Sequence, residues 1–386
     1  MNRLAFFDFV TTLGGANLGS ISLCQGLSRD NKVTLIDAYG SCREYIKRVE
    51  GTGTNFIVLN QHSNWLVIGG KRGLRIKNFL LQLPELLRVL LRLRKGLQNN
   101  NIQLVWVNNK KSLAFVSLAS LLTDTRVVLY YRGEGKKKEF DVAFRLLVKL
   151  FCDGLISHAS TANSTFNEIF SSKKICHVPN SVTIDSKVKI QPCTSKFKGN
   201  YTNIVLPAGR PVLEKGHMTA LKALKIIREV GVDVKLIFPG EIPYGVSSEF
   251  VSSLQMYIAE NNLIDNVSFI GWRNDLQQII ADSDIVILPS HTEGFPRVLI
   301  ESMLLNTLVI ATPVGGVPEA ILHNETGFII PIDDEEKLAR LIIYAIKNNK
   351  EVNDIQVKAK QFALNKFSQD KQISKISQLF SEILGT

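Results

Sequence analysis

The chain has 386 residues, 45% of them hydrophobic, which is enough for two or three cores and excludes long disordered stretches. Its net charge of +11 is uneven: residues 1–198 carry 29 Lys and Arg against 13 Asp and Glu, while residues 199–386 carry 17 against 22. A basic first half joined to an acidic second half turns the first toward something anionic: a membrane surface, a lipid-phosphate acceptor or a nucleic acid.

The first stretch, Arg3-Leu4-Ala5-Phe6-Phe7-Asp8, holds an acid within a short apolar run and reads as a strand, not a signal peptide. Short apolar runs recur at 32–36, 55–59, 102–107, 126–131, 154–157 and 175–178, with helical patterns such as 16–27, 113–122 and 139–151 between them. The series restarts at 203–206 and continues through 234–238, 267–270, 285–288 and 308–311. Such alternation gives parallel sheets covered on both faces. Two series imply an α/β protein of two doubly wound domains, with ligand in a cleft at the C-terminal ends of the strands. The boundary is expected in the polar stretch 183–201, which gives domains over 1–190 and 200–360 and a helical tail over 361–386.

Residues 71–97 set Lys71, Arg72, Arg75, Lys77, Arg88, Arg92, Arg94 and Lys95 against one acid, Glu85, with leucines between them. Pro84 is expected to start or kink a helix here. Arg88, Arg92 and Lys95 fall on one helical face. Two readings stand: a core helix with a solvated basic face, or an interfacial helix on anionic lipid, toward which the charge of the whole first half leans. No uncharged apolar run reaches the roughly 18 residues of a membrane span. The five cysteines (Cys24, Cys42, Cys152, Cys176, Cys193) form no Cys-x-x-Cys pair and read as buried thiols of a reducing compartment.

Two stretches carry candidate chemistry. In the first, the strand at 203–206 runs into Gly209-Arg210-Pro211-Val212-Leu213-Glu214-Lys215-Gly216. Arg210 and Lys215 on one strand-to-helix loop could grip a diphosphate, Arg as a fork and Lys as a point charge. The plainer alternative is a pair of solvated cations. In the second, the strand at 285–288 leads through Glu293-Gly294-Phe295-Pro296 into a helix over 298–305 that holds Glu301. Two carboxylates around a helix start suit sugar hydroxyls beside an anion.

Together with Thr312-Pro313-Val314-Gly315-Gly316-Val317-Pro318-Glu319, Asn324-Glu325-Thr326-Gly327-Phe328 and Val178-Pro179-Asn180-Ser181, these motifs make the chain resemble the GT-B-fold glycosyltransferases of retaining family four, the glycosyl transferases group 1. The match is specific from about 204 to 331 and looser before it, where Gly14-Gly15 is the clearest agreement. The resemblance implies two Rossmann-like domains facing across a cleft, and a last helix that crosses back to the first domain. It implies a nucleotide-diphosphate sugar, UDP- or GDP-linked, as donor, with no cofactor and no metal. It puts Arg210 and Lys215 on the diphosphate, Glu301 on the ribose and Glu293 on the donor sugar, with backbone N–H groups from Gly294, Phe295 and Pro296 nearby. Gly271, Trp272 and Arg273 would hold the base, and Gly14 and Gly15 would let backbone approach the phosphates.

One departure stands out. Many family members carry a histidine after a mid-sheet strand of the first domain. Here the corresponding stretches read Val107-Asn108-Asn109 and Tyr130-Tyr131-Arg132-Gly133-Glu134-Gly135. Arg132 or Glu134 is the candidate substitute, while His62 and His158 read as surface or packing. The activity implied is sugar transfer, with retention, to a glycan or lipid-linked acceptor in bacterial surface polysaccharide biosynthesis. That covers lipopolysaccharide, O-antigen, capsule and exopolysaccharide. The implied location is cytoplasmic, peripheral at the inner face of the membrane. A nucleotide-sugar epimerase of the same fold is the alternative. A nucleic-acid-binding module fits less well, because aromatic residues are not interleaved with the basic segments.

Overall fold

The computed structural model describes residues 1–60, 72–121, 123–193, 196, 201–207, 209, 211–240 and 248–386, and of residues 72–82 and 248 the backbone only. Two compact units emerge: Met1–Pro179 with Gln369–Thr386, and Asn180–Ser368.

The first unit contains β1 (Arg3–Asp8), α1 (Gly15–Leu27), β2 (Lys32–Asp37), α2 (Arg43–Glu50), β3 (Asn55–Val58), α3 (Arg72–Asn99), β4 (Leu104–Val107), α4 (Lys110–Ala119), β5 (Arg126–Tyr131), α5 (Val142–Phe151), β6 (Gly154–Ser157), α6 (Ser160–Ile169) and β7 (Lys174–His177). Its strands form one parallel sheet in the order β3-β2-β1-β4-β5-β6-β7. Alternate residues point to opposite faces. Ala5, Phe7, Val105, Val107, Val127 and Leu129 enter one core, with α3, α4, α5 and α6 above it. Leu4, Phe6, Leu104, Trp106, Val128 and Tyr130 enter another, with α1 and α2. Burial on both faces is why these strands read as unbroken apolar runs. Asn109 starts α4 by accepting from Ser112 N, and Asp141 starts α5 by accepting from Phe144 N, each satisfying a free N–H of the first turn. Pro84 lies inside α3 and not at its start.

The second unit contains β8 (Thr202–Val205), α7 (His217–Glu229), β9 (Val234–Pro239), α8 (Ser248–Glu260), β10 (Val267–Gly271), α9 (Leu276–Asp282), β11 (Ile285–Leu288), α10 (Arg297–Leu304), β12 (Leu308–Ala311), α11 (Val317–Ala320), β13 (Phe328–Ile329), α12 (Glu335–Lys347) and α13 (Asn349–Lys366). Its parallel sheet runs β10-β9-β8-β11-β12-β13. The same two-sided pattern holds. Ile204, Ile285, Ile287, Leu308 and Ile310 face one core, and Val205, Val286, Leu288, Val309 and Ala311 the other.

The boundaries differ from the expected 190 and 361. Residues 180–190 belong to the second unit because they are bonded into it. Asn180 Nδ2 donates to Phe295 O at 2.7 Å, and Asp185 N donates to Gln277 Oε1 at 2.9 Å. At the other end α13 stays with the second unit. Only α14 (Gln369–Leu384) joins the first, where Gln369 Nε2 reaches Ser22 O at 2.9 Å and Ile373 packs on Gly26.

Candidate active site

In the second sheet the winding reverses between β8 and β11, because β9 and β10 extend one way and β12 and β13 the other. Open α/β sheets bind ligands outside the carboxyl ends of the strands at such a switch point. The loops leaving β8 and β11 meet there. Gly216, at φ +70°, presses against Pro289, and a Cβ would collide with the Pro289 carbonyl. His291 N donates to Glu214 O at 2.8 Å. This junction brings Lys215 Nζ to 2.7 Å from Glu293 Oε1. Ser290 Oγ donates to the same oxygen at 2.9 Å.

A second layer fixes the Glu293 backbone. Thr312, at the end of β12, donates to Ser290 O through Oγ1. Gly315, at φ +55°, lies so close that a Cβ would strike the carbonyls of Glu293 and Gly294. Gly316 N donates to Gly294 O at 2.6 Å. Asn180 holds Phe295 O, and Arg297 Nη1 donates to Ser181 O at 3.0 Å. Glu293 is thus held from three loops, its charge balanced by Lys215.

Some expected residues sit differently. The Phe295 side chain is buried against Phe367, ring centroids 5.4 Å apart, so only its backbone is available. Pro296 caps α10 and, as proline, has no N–H, which leaves Gly294 and Phe295 as the donors of that run. Glu301 lies on α10, where Gln277 Nε2 donates to it at 3.3 Å. Gly271 ends β10 at φ +68°, and Trp272 after it is half exposed. Arg273 is engaged by Asp275 through two bonds of 2.8 and 2.6 Å, so a neighbouring carboxylate already balances its charge. Gly271 O accepts from Gly240 N at 2.8 Å, which joins the loops after β9 and β10. Arg210 lies outside the described residues.

In the first unit, Gly14 caps α1 with extended backbone, φ −143°, and its N–H donates to Asn17 Oδ1 at 3.1 Å. The nearest atom to a Cβ there would be Asn17 Oδ1 at 3.8 Å, so Gly14, beside Gly15 at the helix start, presents open backbone. Arg132 donates through Nη2 to Ser20 Oγ at 3.3 Å and lies over the Tyr130 ring. Glu134 is buried and paired with Lys136 at 2.8 Å. His158 is buried at the end of β6 with Nδ1 2.9 Å from Tyr131 O, and His62 lies outside the described residues.

Sequence reasoning misses a polar cluster at the ends of β1 and β2. Asp8 accepts from Asn109 Nδ2 at 2.8 Å and Ser112 Oγ at 3.0 Å. Asp37 accepts from the backbone N–H groups of Val10, Tyr39 and Gly40. Burial outweighs those bonds and raises its pKa to about 6. Lys111 lies over the Phe9 ring at 3.9 Å and donates to Tyr39 Oη at 2.6 Å. Burial lowers its pKa to about 8 against the pull of Asp8. Ser290 is missed as well, while Thr312, Gly315 and Asn180 are read as motif residues without a role in holding Glu293. Thr312, Gly315 and Asn180 act through partners remote in sequence, whereas Ser290 reaches Glu293 three positions on.

Two parallel-sheet units with ligand-type loops at the switch point define a GT-B-fold protein. Residues 195–362 match the glycosyl transferases group 1 family, so the second unit is a glycosyl transferases group 1 domain. N-acetyl-alpha-D-glucosaminyl L-malate synthase of Bacillus anthracis is 30% identical over 160 residues, 42% of this chain and 40% of that protein. The capsular polysaccharide biosynthesis glycosyltransferase CapM of Staphylococcus aureus is 27% identical over 176 residues, 46% of this chain and 45% of its own. These matches span less than half the length of either relative. The structure of Anabaena HepE in complex with UDP and glucose superposes with a TM-score of 0.80, at 21% identity, over 99% of this chain and 100% of that one, which carries the fold.

Proposed function

We propose that this chain is a retaining glycosyltransferase. It would move a sugar from a UDP- or GDP-linked donor to a glycan or lipid-linked acceptor in bacterial surface polysaccharide biosynthesis, working against the anionic inner face of the cytoplasmic membrane. The observation that carries the reading is the Lys215–Glu293 pair at the switch point of the second sheet. A cation and a carboxylate held together on two loops can divide the work. Lys215, with Arg210, would take the charge that builds on the leaving diphosphate. Glu293, released from Lys215 as the phosphates arrive, would accept hydroxyls of the sugar and orient it. Glu301 on α10 would accept from the ribose. Support also comes from the group 1 match over 195–362 and from the likeness to the capsular polysaccharide relative.

The test is calorimetry with UDP and GDP, then mass analysis of products formed from the matching nucleotide-sugars and lipid-linked acceptors. Binding of one nucleoside diphosphate and a mass gain of one sugar on the acceptor are expected. A product of unchanged mass would replace transfer by epimerisation, and no nucleotide binding would remove both.

A further inference from the structure

Among the described residues of the first unit, nine large apolar side chains are exposed, and eight lie on α3, on α5 and at the C-terminal end of α4. Val142, Leu146 and Leu150 form a row along α5, 74%, 52% and 71% exposed. Leu83, Leu87 and Leu91 form a parallel row on α3, and Leu118 on α4 and Leu121 in the turn after it add to the surface. A spacing of four puts each row on one helical face. The opposite faces are buried: Val89, Leu93 and Leu97 of α3, Leu113 and Val116 of α4, and Phe144 and Val148 of α5 all enter one core under the sheet. α4 packs against both neighbours, so the three helices are one layer and its outer surface carries the rows. The exposed apolar side chains of the second unit, such as Val230, Met256 and Ile264, are spread over several elements, which is ordinary for a soluble surface. Contiguous rows are not ordinary. α5 is apolar on both faces, and such a helix calls for something to cover its outer one.

The charges identify the occupant. Arg88, Arg92, Lys95, Lys110 and Lys149 are exposed on these helices. The acids beside them, Glu85 and Asp141, are engaged by Arg88 and Lys110. Five cations against two acids leave this face with an excess of positive charge, and a face that sets apolar rows beside such an excess is drawn to an anionic, apolar-backed surface and repels a second copy of itself.

We propose that the outer face of α3, α4 and α5 docks on an anionic lipid bilayer. Val142, Leu146 and Leu150 enter the boundary between head groups and acyl chains, and the cations of α3 meet the lipid phosphates. The proposal rests on the reading above only for its purpose, which is to hold the enzyme where a lipid-linked acceptor resides. It assigns the apolar contact to α5, not to the basic helix α3 alone.

The experiment is co-sedimentation of the full chain with vesicles of phosphatidylcholine, alone or mixed with phosphatidylglycerol. Binding to the anionic vesicles is expected to be at least about tenfold tighter, weakening with salt but leaving a salt-resistant fraction. Leu146→Asn with Leu150→Asn removes the resistant fraction. Arg88→Gln, Arg92→Gln and Lys95→Gln together remove the salt-sensitive one. A Leu150→Trp variant shifts its emission to the blue on anionic vesicles. Absence of binding to either vesicle overturns the proposal, as does binding that the paired Asn variant leaves unchanged. Light scattering that shows a dimer dissolved by the same pair also overturns it, by making the face an interface between copies. Melting temperatures verify folding. Nucleoside diphosphate calorimetry on the same samples separates this failure from failure of the donor site.

Discussion

Lys215 and Glu293, 78 positions apart in the chain, meet at 2.7 Å where the loops after β8 and β11 are pressed together by Gly216 and Pro289. Each side chain is mostly buried, so each depends on the other for charge balance. Lys215→Ala is expected to lower kcat/KM by about 10²–10³-fold, the scale of losing one group that stabilises transition-state charge. The fold loses less, about 1–3 kcal/mol, because Ser290 still donates to Glu293. Initial rates beside melting temperatures check this. Normal turnover in a folded Lys215→Ala protein removes Lys215 from the chemistry.

Glu301→Ala is expected to weaken nucleoside diphosphate binding by about 10- to 100-fold, since a charge-assisted hydrogen bond contributes about 1.5–3 kcal/mol. Gln277, its present partner at 3.3 Å, is long for a hydrogen bond and readily displaced. Calorimetry reads the change directly. Unchanged affinity places Glu301 outside the donor site.

The strands were legible because both faces of each sheet are buried: Ile285-Val286-Ile287-Leu288 is apolar at every position, and no loop sequence has reason to be. The strand-to-helix loops were legible for a different reason, since Gly294 and Gly216 punctuate them. The meeting of Lys215 with Glu293 was not, because strand order decides it and local sequence does not encode strand order. The boundary at Pro179 was hidden by composition: 183–201 is polar like a linker, yet residues 180–190 are bonded to the second unit by backbone groups. The pairing of Arg273 with Asp275 was legible but not read. An acid two positions on, Asp275, is a local signal of a partner for the guanidinium.

Gly315→Ala is expected to be costly at the site. At φ +55° any Cβ is strained, and here it also meets the carbonyls of Glu293 and Gly294. The loop must shift, carrying Glu293 away from Lys215. Gly53→Ala is the control, because its φ of +68° is similar but nothing lies within 4 Å of its Cβ. The control is expected to cost about 1 kcal/mol, and Gly315→Ala at least twice that together with loss of donor binding. Urea unfolding and calorimetry on both variants decide it. Equal costs would mean the loop yields freely and does not position Glu293.

His217, at the start of α7, has its pKa lowered to about 4 by burial first and by the Lys215 charge second, against a hydrogen bond with the Val212 backbone. A depressed pKa means the native state resists protonation. The stability it contributes is therefore complete above the unfolded value near 6.5 and is lost as pH falls toward 4. The loss is on the order of 3 kcal/mol, since each tenfold difference in proton affinity between the folded and unfolded states is about 1.4 kcal/mol. Asp37 in the other unit works oppositely. Its raised pKa gives stability that is complete below about 4 and is lost as pH rises through about 6, so the wild-type curve alone would mislead. His217→Gln keeps a neutral polar group and removes the titration. Urea unfolding near pH 7 and near pH 4.5 is expected to show the second unit of the wild type losing stability on acidification and the His217→Gln unit losing distinctly less. Parallel losses in both proteins would mean that His217 accepts its proton in the folded state at no cost, and that the Lys215 loop is open to water.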